Sequence, residues 1–224
     1  MSLFDRNFYD FIVNPSPEDK DSIPGLAQQA KKYGYSGMAL VNTQVTETDT
    51  ENLPPDFSIY HAAGISCKQT KLRSEIQKHS KKNDIIIVMG GDELLNRAAV
   101  ETPGLDILLQ PGEFNHVHAR FAHDNSITIG FDIGSLIRNR GDARIRELTT
   151  MRRNLIYVRK YDLPAILTAN AATIYDLRAP REMAAIASLF GMTQKEASDA
   201  MSTTPLEILK TKSQDYVQNG IEVL

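Results

Sequence analysis

The chain predicts an α/β fold, a single irregular barrel of about seven parallel strands formed by residues 1–224 as one domain. Three observations predict it. Short apolar runs alternate with helix-period segments along the length of the chain. The runs are continuous, as in parallel strands buried on both faces. Seven such units follow one another without a linker, a repeat or a low-complexity block, and 224 residues is a size at which one barrel closes.

In chain order, residues 8–13 read as the first strand, broken by Pro15 and Pro17, and residues 25–33 as a helix ended by Gly34. Residues 37–41 form a second strand. The polar stretch 43–56 reads as a surface loop ending at Pro54-Pro55, and 58–65 as the third strand. Residues 68–81 are helical, with Leu72, Ile76 and His79 on one face. Residues 84–89 are the fourth strand and 92–100 the helix behind it. Residues 105–109 give the fifth strand, 115–123 a short helix and 127–133 the sixth strand. Residues 142–160 are the longest helix, with Ile145, Leu148, Met151, Leu155 and Val158 as its buried stripe. Residues 165–168 are the seventh strand. Residues 180–218 read as helices broken at Gly191 and Pro205, and an eighth strand has no clear place.

Composition narrows the class. With 42% hydrophobic and 24% charged residues the chain is globular rather than disordered. A lone cysteine, Cys67, rules out an internal disulfide and fits a reducing compartment. No basic segment followed by a long apolar one opens the sequence, and runs such as Ile85-Ile86-Ile87-Val88-Met89 are too short to span a bilayer, so a soluble, cytoplasmic protein is expected. Net charge is −3, unevenly spread. Residues 68–82 hold six basic residues against one acidic, and 138–160 hold eight against two. The two segments carry +11 and the remainder −14. Such asymmetry can give an acidic protein a basic face, and it also describes two solvated helix faces.

The residues that could do chemistry are sparse. Imidazoles two apart on a strand can share a metal, but the first strand offers Asp10 and no histidine. The His116-Val117-His118 pair falls in a helix, where side chains two apart diverge by about 200° and cannot chelate one ion. His116 and His123, seven apart, could share a face, but two ligands do not make a catalytic site; His61 and His79 read as structural, and no metal ligands are expected. Gly90-Gly91-Asp92 follows a strand and opens a helix, a place where an anion could meet backbone amides, but Asp92 is itself a good N-cap. No Gly-Lys-Ser/Thr and no Gly-x-Ser-x-Gly is present, and Cys67 has no histidine nearby in sequence. What remains is rows of cations: Arg146, Arg153 and Lys160 spaced by sevens on the long helix, and Lys71, Lys78 and Lys82 on the earlier one. Such rows suit a phosphate backbone.

Several segments together carry a resemblance. They are Phe8-Tyr9-Asp10, Gly90-Gly91-Asp92-Glu93-Leu94-Leu95-Asn96-Arg97-Ala98-Ala99-Val100-Glu101, Leu105-Asp106-Ile107-Leu108 and Phe114-Asn115-His116-Val117-His118-Ala119-Arg120-Phe121-Ala122. The strand at 127–132, Asp176-Leu177-Arg178-Ala179-Pro180-Arg181-Glu182 and Gly191-Met192 complete the set. In these the chain resembles the ribonuclease P protein component 3 family of archaea, also represented in the eukaryotic nuclear enzyme. Thr168-Ala169-Asn170-Ala171-Ala172 departs from the Ser/Gly-rich run expected there.

The resemblance implies an irregular TIM-like barrel of about seven strands, similar to PHP phosphoesterases but without their metal ligands. It implies a protein subunit of a ribonucleoprotein that removes the 5′ leader of precursor tRNA, with catalysis and magnesium in the RNA and no cofactor or catalytic residue in the protein. The implied partners are the RNase P RNA, a small ferredoxin-like subunit in a heterotetramer, and other RNase P proteins. Lys68, Arg97, Arg120, Arg138, Arg140, Arg178 and Arg181 lie in or beside loops and helix starts and are the candidate RNA contacts. Arg97 has an alternative role in ion pairs with Glu93 or Glu101. The competing readings are a PHP-like metal-dependent phosphoesterase and a scaffold that binds only protein.

Overall fold

A computed structural model describes residues 6–15 and 23–212, together with the backbone of 216–218 and 221–222. Seven strands pair in sequence order and all in parallel: β1 Phe8–Val13, β2 Tyr35–Val41, β3 Ser58–Ile65, β4 Ile85–Met89, β5 Ile107–Leu109, β6 Thr128–Asp132 and β7 Ala165–Thr168. Each of the seven lies within or extends by a few residues the segment read as a strand.

The continuous apolar runs divide between two cores. Ile85, Ile87, Ile107, Leu109 and Ile166 point into the barrel with Tyr9, Phe11, Ala39 and Val41. Ile86, Val88, Leu108, Ile129, Phe131 and Leu167 face the surrounding helices. A strand with apolar neighbours on both faces needs apolar residues at every position, which erases the period-2 signal.

The helices on the outside are α1 Ile23–Tyr33, α2 Glu47–Glu51, α3 Gln69–Ser80, α4 Glu93–Val100, α5 His116–Asp124, α6 Ile133–Arg138, α7 Gly141–Lys160, α8 Pro180–Ala187, α9 Gln194–Met201 and α10 Thr203–Thr211. Gly34, at φ +97°, ends α1 in a left-handed turn that a side chain would strain.

No eighth parallel strand closes the barrel among the described residues. β7 and β1 meet through one bridge, Val13 to Ala171, with the Asn14 amide donating to the Ala171 carbonyl at 2.8 Å. α9 packs on β7 and β1 beside this seam. α10 sends Ile208 into the interior core, with Leu206 and Leu209 against it. Lys212, just past α10, pairs with Asp106 ahead of β5 at 2.8 Å, so α10 lies at the end of the barrel where the strands begin.

Four details depart from the sequence reading. The polar stretch 43–56 contains α2, where Thr46 and Asp49 form a reciprocal cap. Ile145 is 62% exposed, because α7 meets the barrel only from its middle onward, through Met151, Leu155 and Val158. The last helical break falls at Ser202 rather than at Pro205, which sits in the first turn of α10, where a missing N–H costs nothing. Residues 216–218, read as helix, pair instead with 221–222 as a small antiparallel ribbon.

Candidate nucleic-acid interface

The two basic segments behave differently once folded. On α3, Leu72 and Ile76 face the core and the cations face water. Lys68, at the N-cap position, and Lys71, Arg73, Lys81 and Lys82 are exposed, and no ion pair engages them among the described residues. Lys78 shares Glu75 with His79, both at 3.6 Å.

The arginines of α7 are instead tied into the fold. Arg144 donates to the Asn139 carbonyl at 2.8 Å, Arg152 to Leu189 at 2.8 Å, and Arg153 to Gly112. Arg159 holds Glu196 at 2.7 and 2.8 Å and the Gly191 carbonyl at 2.7 Å. That pairing pulls the Glu196 carboxyl down to about 2. Lys160 lies over the Tyr161 ring at 5.5 Å, and Arg140 and Arg146 are exposed with no ion pair among the described residues. The two segments do not merge into one face. α3 packs on α4, α4 on α5 and α5 on α7, so two helices stand between them.

The seven candidate residues fall into three groups. Lys68, Arg138 and Arg140 follow β3 and β6, at the end of the barrel where strands finish. Arg97 and Arg120 lie on the outer helices α4 and α5; Arg120 is exposed and unpaired among the described residues, and Arg97 pairs with Glu101 at 2.9 Å. Arg178 and Arg181 sit near the starting ends of β1 and β2, because the Tyr35 hydroxyl donates to the Arg178 carbonyl at 2.9 Å. The Arg178 guanidinium folds back onto the carbonyls of Tyr175 and Leu177, at 2.6 and 2.7 Å. Arg181 lines a depression with Arg6, Phe8, Tyr33 and Pro180.

Arg138 has a second duty at the mouth of the barrel. Its guanidinium pairs with Asp132 at 3.2 Å, and Asn170 donates to the same carboxylate at 2.9 Å. Burial raises the Asp132 pKa, against the Asn170 and Arg138 contacts, which lower it. Nearby, Asp10 is 2% exposed in the β1–β7 seam. It accepts from the Thr168 hydroxyl at 2.6 Å, the Ala169 amide at 3.0 Å and the Ile12 amide at 3.2 Å. Burial nevertheless pushes its carboxyl up to about 6.

The Gly90–Glu101 segment builds a clamp that sequence reading missed. Asn96, 0% exposed, accepts from the Gly91 amide at 2.9 Å and donates to the Gly91 and Glu113 carbonyls, both at 3.0 Å. It thereby ties the loop after β4 to the loop after β5. A Cβ on Gly90 would stand 2.4 Å from Pro111 Cα, so only glycine allows the approach. Asp92 caps α4 through the Leu95 amide at 2.9 Å, and Glu113 takes the Glu93 amide at 3.2 Å, so two of the donors at this helix start are already engaged. The buried polar residue in an otherwise apolar helix face was the available signal for Asn96.

Of the histidines, His118 is built into the fold, while His61, His116 and His123 are exposed. His118 is buried, accepts from the Asn115 amide at 3.3 Å and lies 5.8 Å from the Phe114 ring, and burial lowers its pKa. Among the described residues no group of three or more His, Cys, Asp or Glu could hold a metal ion. No helix among them is long and apolar enough to cross a membrane.

Comparison with known proteins places this architecture. Residues 7–215 match the family model described as RNase P subunit p30. Ribonuclease P protein component 3 of Methanococcoides burtonii is 40% identical over 230 residues, covering 99% of this chain and 95% of that protein. A chain in a cryo-EM structure of archaeal ribonuclease P with mature tRNA superposes with a TM-score of 0.77 at 23% identity, covering 96% of this chain and 97% of that one. A Xaa-Pro dipeptidase with bound methionine shares the fold at a TM-score of 0.65 and 8% identity, covering 91% and 75%.

Proposed function

The chain belongs to the RNase P subunit p30 family, and from that membership we propose that it is a protein subunit of ribonuclease P that supports removal of the 5′ leader from precursor tRNA by binding the enzyme's RNA. The observation that carries the RNA contact is the contrast between the two basic helices. The α7 arginines neutralise carboxylates and carbonyls of the fold, while Lys68, Lys71, Arg73, Lys81 and Lys82 of the α3 region present positive charge to solvent. Unpaired cations along one helix displace condensed counterions from a phosphate backbone, which gives affinity without base specificity. Arg120 and Arg140 extend this set. Arg97, Arg138 and Arg178 contribute to RNA binding only with whatever capacity their internal contacts leave.

In this reading the isolated chain is not catalytic: magnesium acts at the active site of the RNA, and the protein needs no cofactor of its own. Its partners are the RNase P RNA, a small ferredoxin-like subunit joining it in a heterotetramer, and the other RNase P proteins.

The test uses the reconstituted holoenzyme. Replacing Lys71, Arg73 and Lys81 by glutamine should weaken RNA binding and reduce the slope of log affinity against log salt, by roughly one unit or less for each lost phosphate contact. Wild-type affinity and slope in this triple variant would refute the α3 interface. Cleavage of precursor tRNA by the purified protein alone, lost on a point substitution in it, would refute the non-catalytic role.

A further inference from the structure

At the strand-start end of the barrel, far along the chain from α3, a depression of about 210 Å³ opens between the end of α1 and the start of α8. It is lined by Phe8, Tyr33, Gly34 and Pro180, together with Arg6 and Arg181. The volume is below the roughly 300 Å³ of a site that encloses a drug-sized ligand, and it suits one planar ring. Tyr33 is 36% exposed although it ends a helix whose other apolar residues are buried.

The electrostatics around the depression are fixed by neighbours. Arg6 is held by Asp199 at 2.5 Å. Glu182 turns its carboxylate onto the Ala179 amide at 3.0 Å, which engages it as a helix cap. Among the described residues, none of those lining the depression is acidic. An accessible aromatic face, a proline ring and two guanidinium groups in one small recess match the chemistry of a nucleotide. A base that is not paired or stacked in its own strand lies on an aromatic ring, and its phosphate meets arginine.

We propose that this recess receives one unpaired nucleobase of the RNA bound by the chain, stacked on Tyr33, with the adjoining phosphate toward Arg181 and Arg6. The inference rests on the reading of the chain as an RNA-binding subunit and adds a second contact at the opposite end of the barrel from the loops after β3 and β6. Two separated contacts fix the orientation of the barrel on the RNA, which a single row of cations does not.

The experiment reconstitutes the holoenzyme with RNase P RNA carrying 4-thiouridine, irradiates it and maps cross-linked peptides. It also compares RNA affinity for Tyr33→Ala and Tyr33→Phe. A cross-link at residue 33 or residues 179–181, with affinity about fivefold or more lower for Tyr33→Ala and retained for Tyr33→Phe, is the expected result. The salt slope should stay unchanged in Tyr33→Ala, since no phosphate contact is lost, and should fall in Arg181→Gln. Cross-links at α3 without any at residue 33 or 179–181 would overturn the recess and leave the α3 interface standing. Cross-links at neither would overturn both. Loss of partner-protein assembly by Tyr33→Ala in the absence of RNA would assign the recess to a protein and overturn the proposal.

Discussion

Asp10 is a carboxylate placed by its fold against its own charge. Three donors reach it, but complete burial raises its pKa to about 6 from an ordinary 3.8. The folded pKa lies above the unfolded one, so the folded state binds the proton more tightly. The associated stability is full below about pH 4 and is lost as pH rises through about 6, a difference of roughly 3 kcal/mol. Urea midpoints of the wild type, taken relative to Asp10→Asn, should fall across that window; a flat difference from pH 4 to 7 would contradict it. Arg138 illustrates the opposite case, a cation that looks free in sequence and is held in space. Removing it leaves the buried Asp132 carboxylate with only neutral donors, the Asn170 side chain and the Ser135 amide. Arg138→Ala should lose about 1–2 kcal/mol in urea unfolding, partly restored by Asp132→Asn, whereas Arg140→Ala should change stability by less than about 0.5 kcal/mol. RNA-binding measurements on Arg138 variants therefore need the folded fraction measured alongside.

Among the elements, the loops after β4 and β5 act as a unit because one buried amide holds both. Asn96→Ala removes three hydrogen bonds and leaves the Gly91 amide without its acceptor, at an expected cost of about 3 kcal/mol in thermal or chemical unfolding. Gly90→Ala meets backbone rather than a movable side chain, so a comparable loss is expected there. Wild-type stability in both variants would show that the clamp is incidental. The helices teach a related lesson about charge. α3 and α7 look alike in sequence, each amphipathic and strongly basic. α7 runs beside the turn at Ser188–Phe190 and the start of α9, whose carbonyls and Glu196 need donors, so its arginines serve the fold. α3 packs only through Leu72 and Ile76, so its cations remain available.

For the molecule as a whole, closure of the barrel is the weak point. Adjacent strands elsewhere share ladders of paired residues, while β7 and β1 share a single bridge. The Asn14 amide, hydrogen-bonded to Ala171 across that seam, should exchange with solvent by local opening, faster than amides of the β2–β3 ladder under the same conditions. Equal protection would mean that the seam opens only with the whole barrel. The open end where strands begin is filled by α10 instead of a strand. Ile208→Ala should cost about 2–3 kcal/mol, because the cavity would lie among Tyr9, Phe11 and other interior side chains with little room to collapse.

The order and direction of the strands, the two-faced burial of their apolar residues, the positions of most helices and the family were legible in the sequence. These depend on local composition: a run such as Ile85–Val88, short and closed off by Gly90-Gly91, reads as a strand buried on both faces, and the Gly90–Glu101 and Phe114–Ala122 segments are distinctive as written. The tertiary structure alone decided which cations are available. Arg152, Arg153 and Arg159 meet their partners across 37, 41 and 37 residues, and a hydrogen bond made over such separations leaves no trace in the charge pattern of its own helix. It likewise decided that two basic helices stand apart, that Asp10 is sealed into the seam, and that Phe8, Tyr33 and Arg181 line one recess, because proximity between distant segments is set by how the barrel closes and not by any residue's neighbours in the chain.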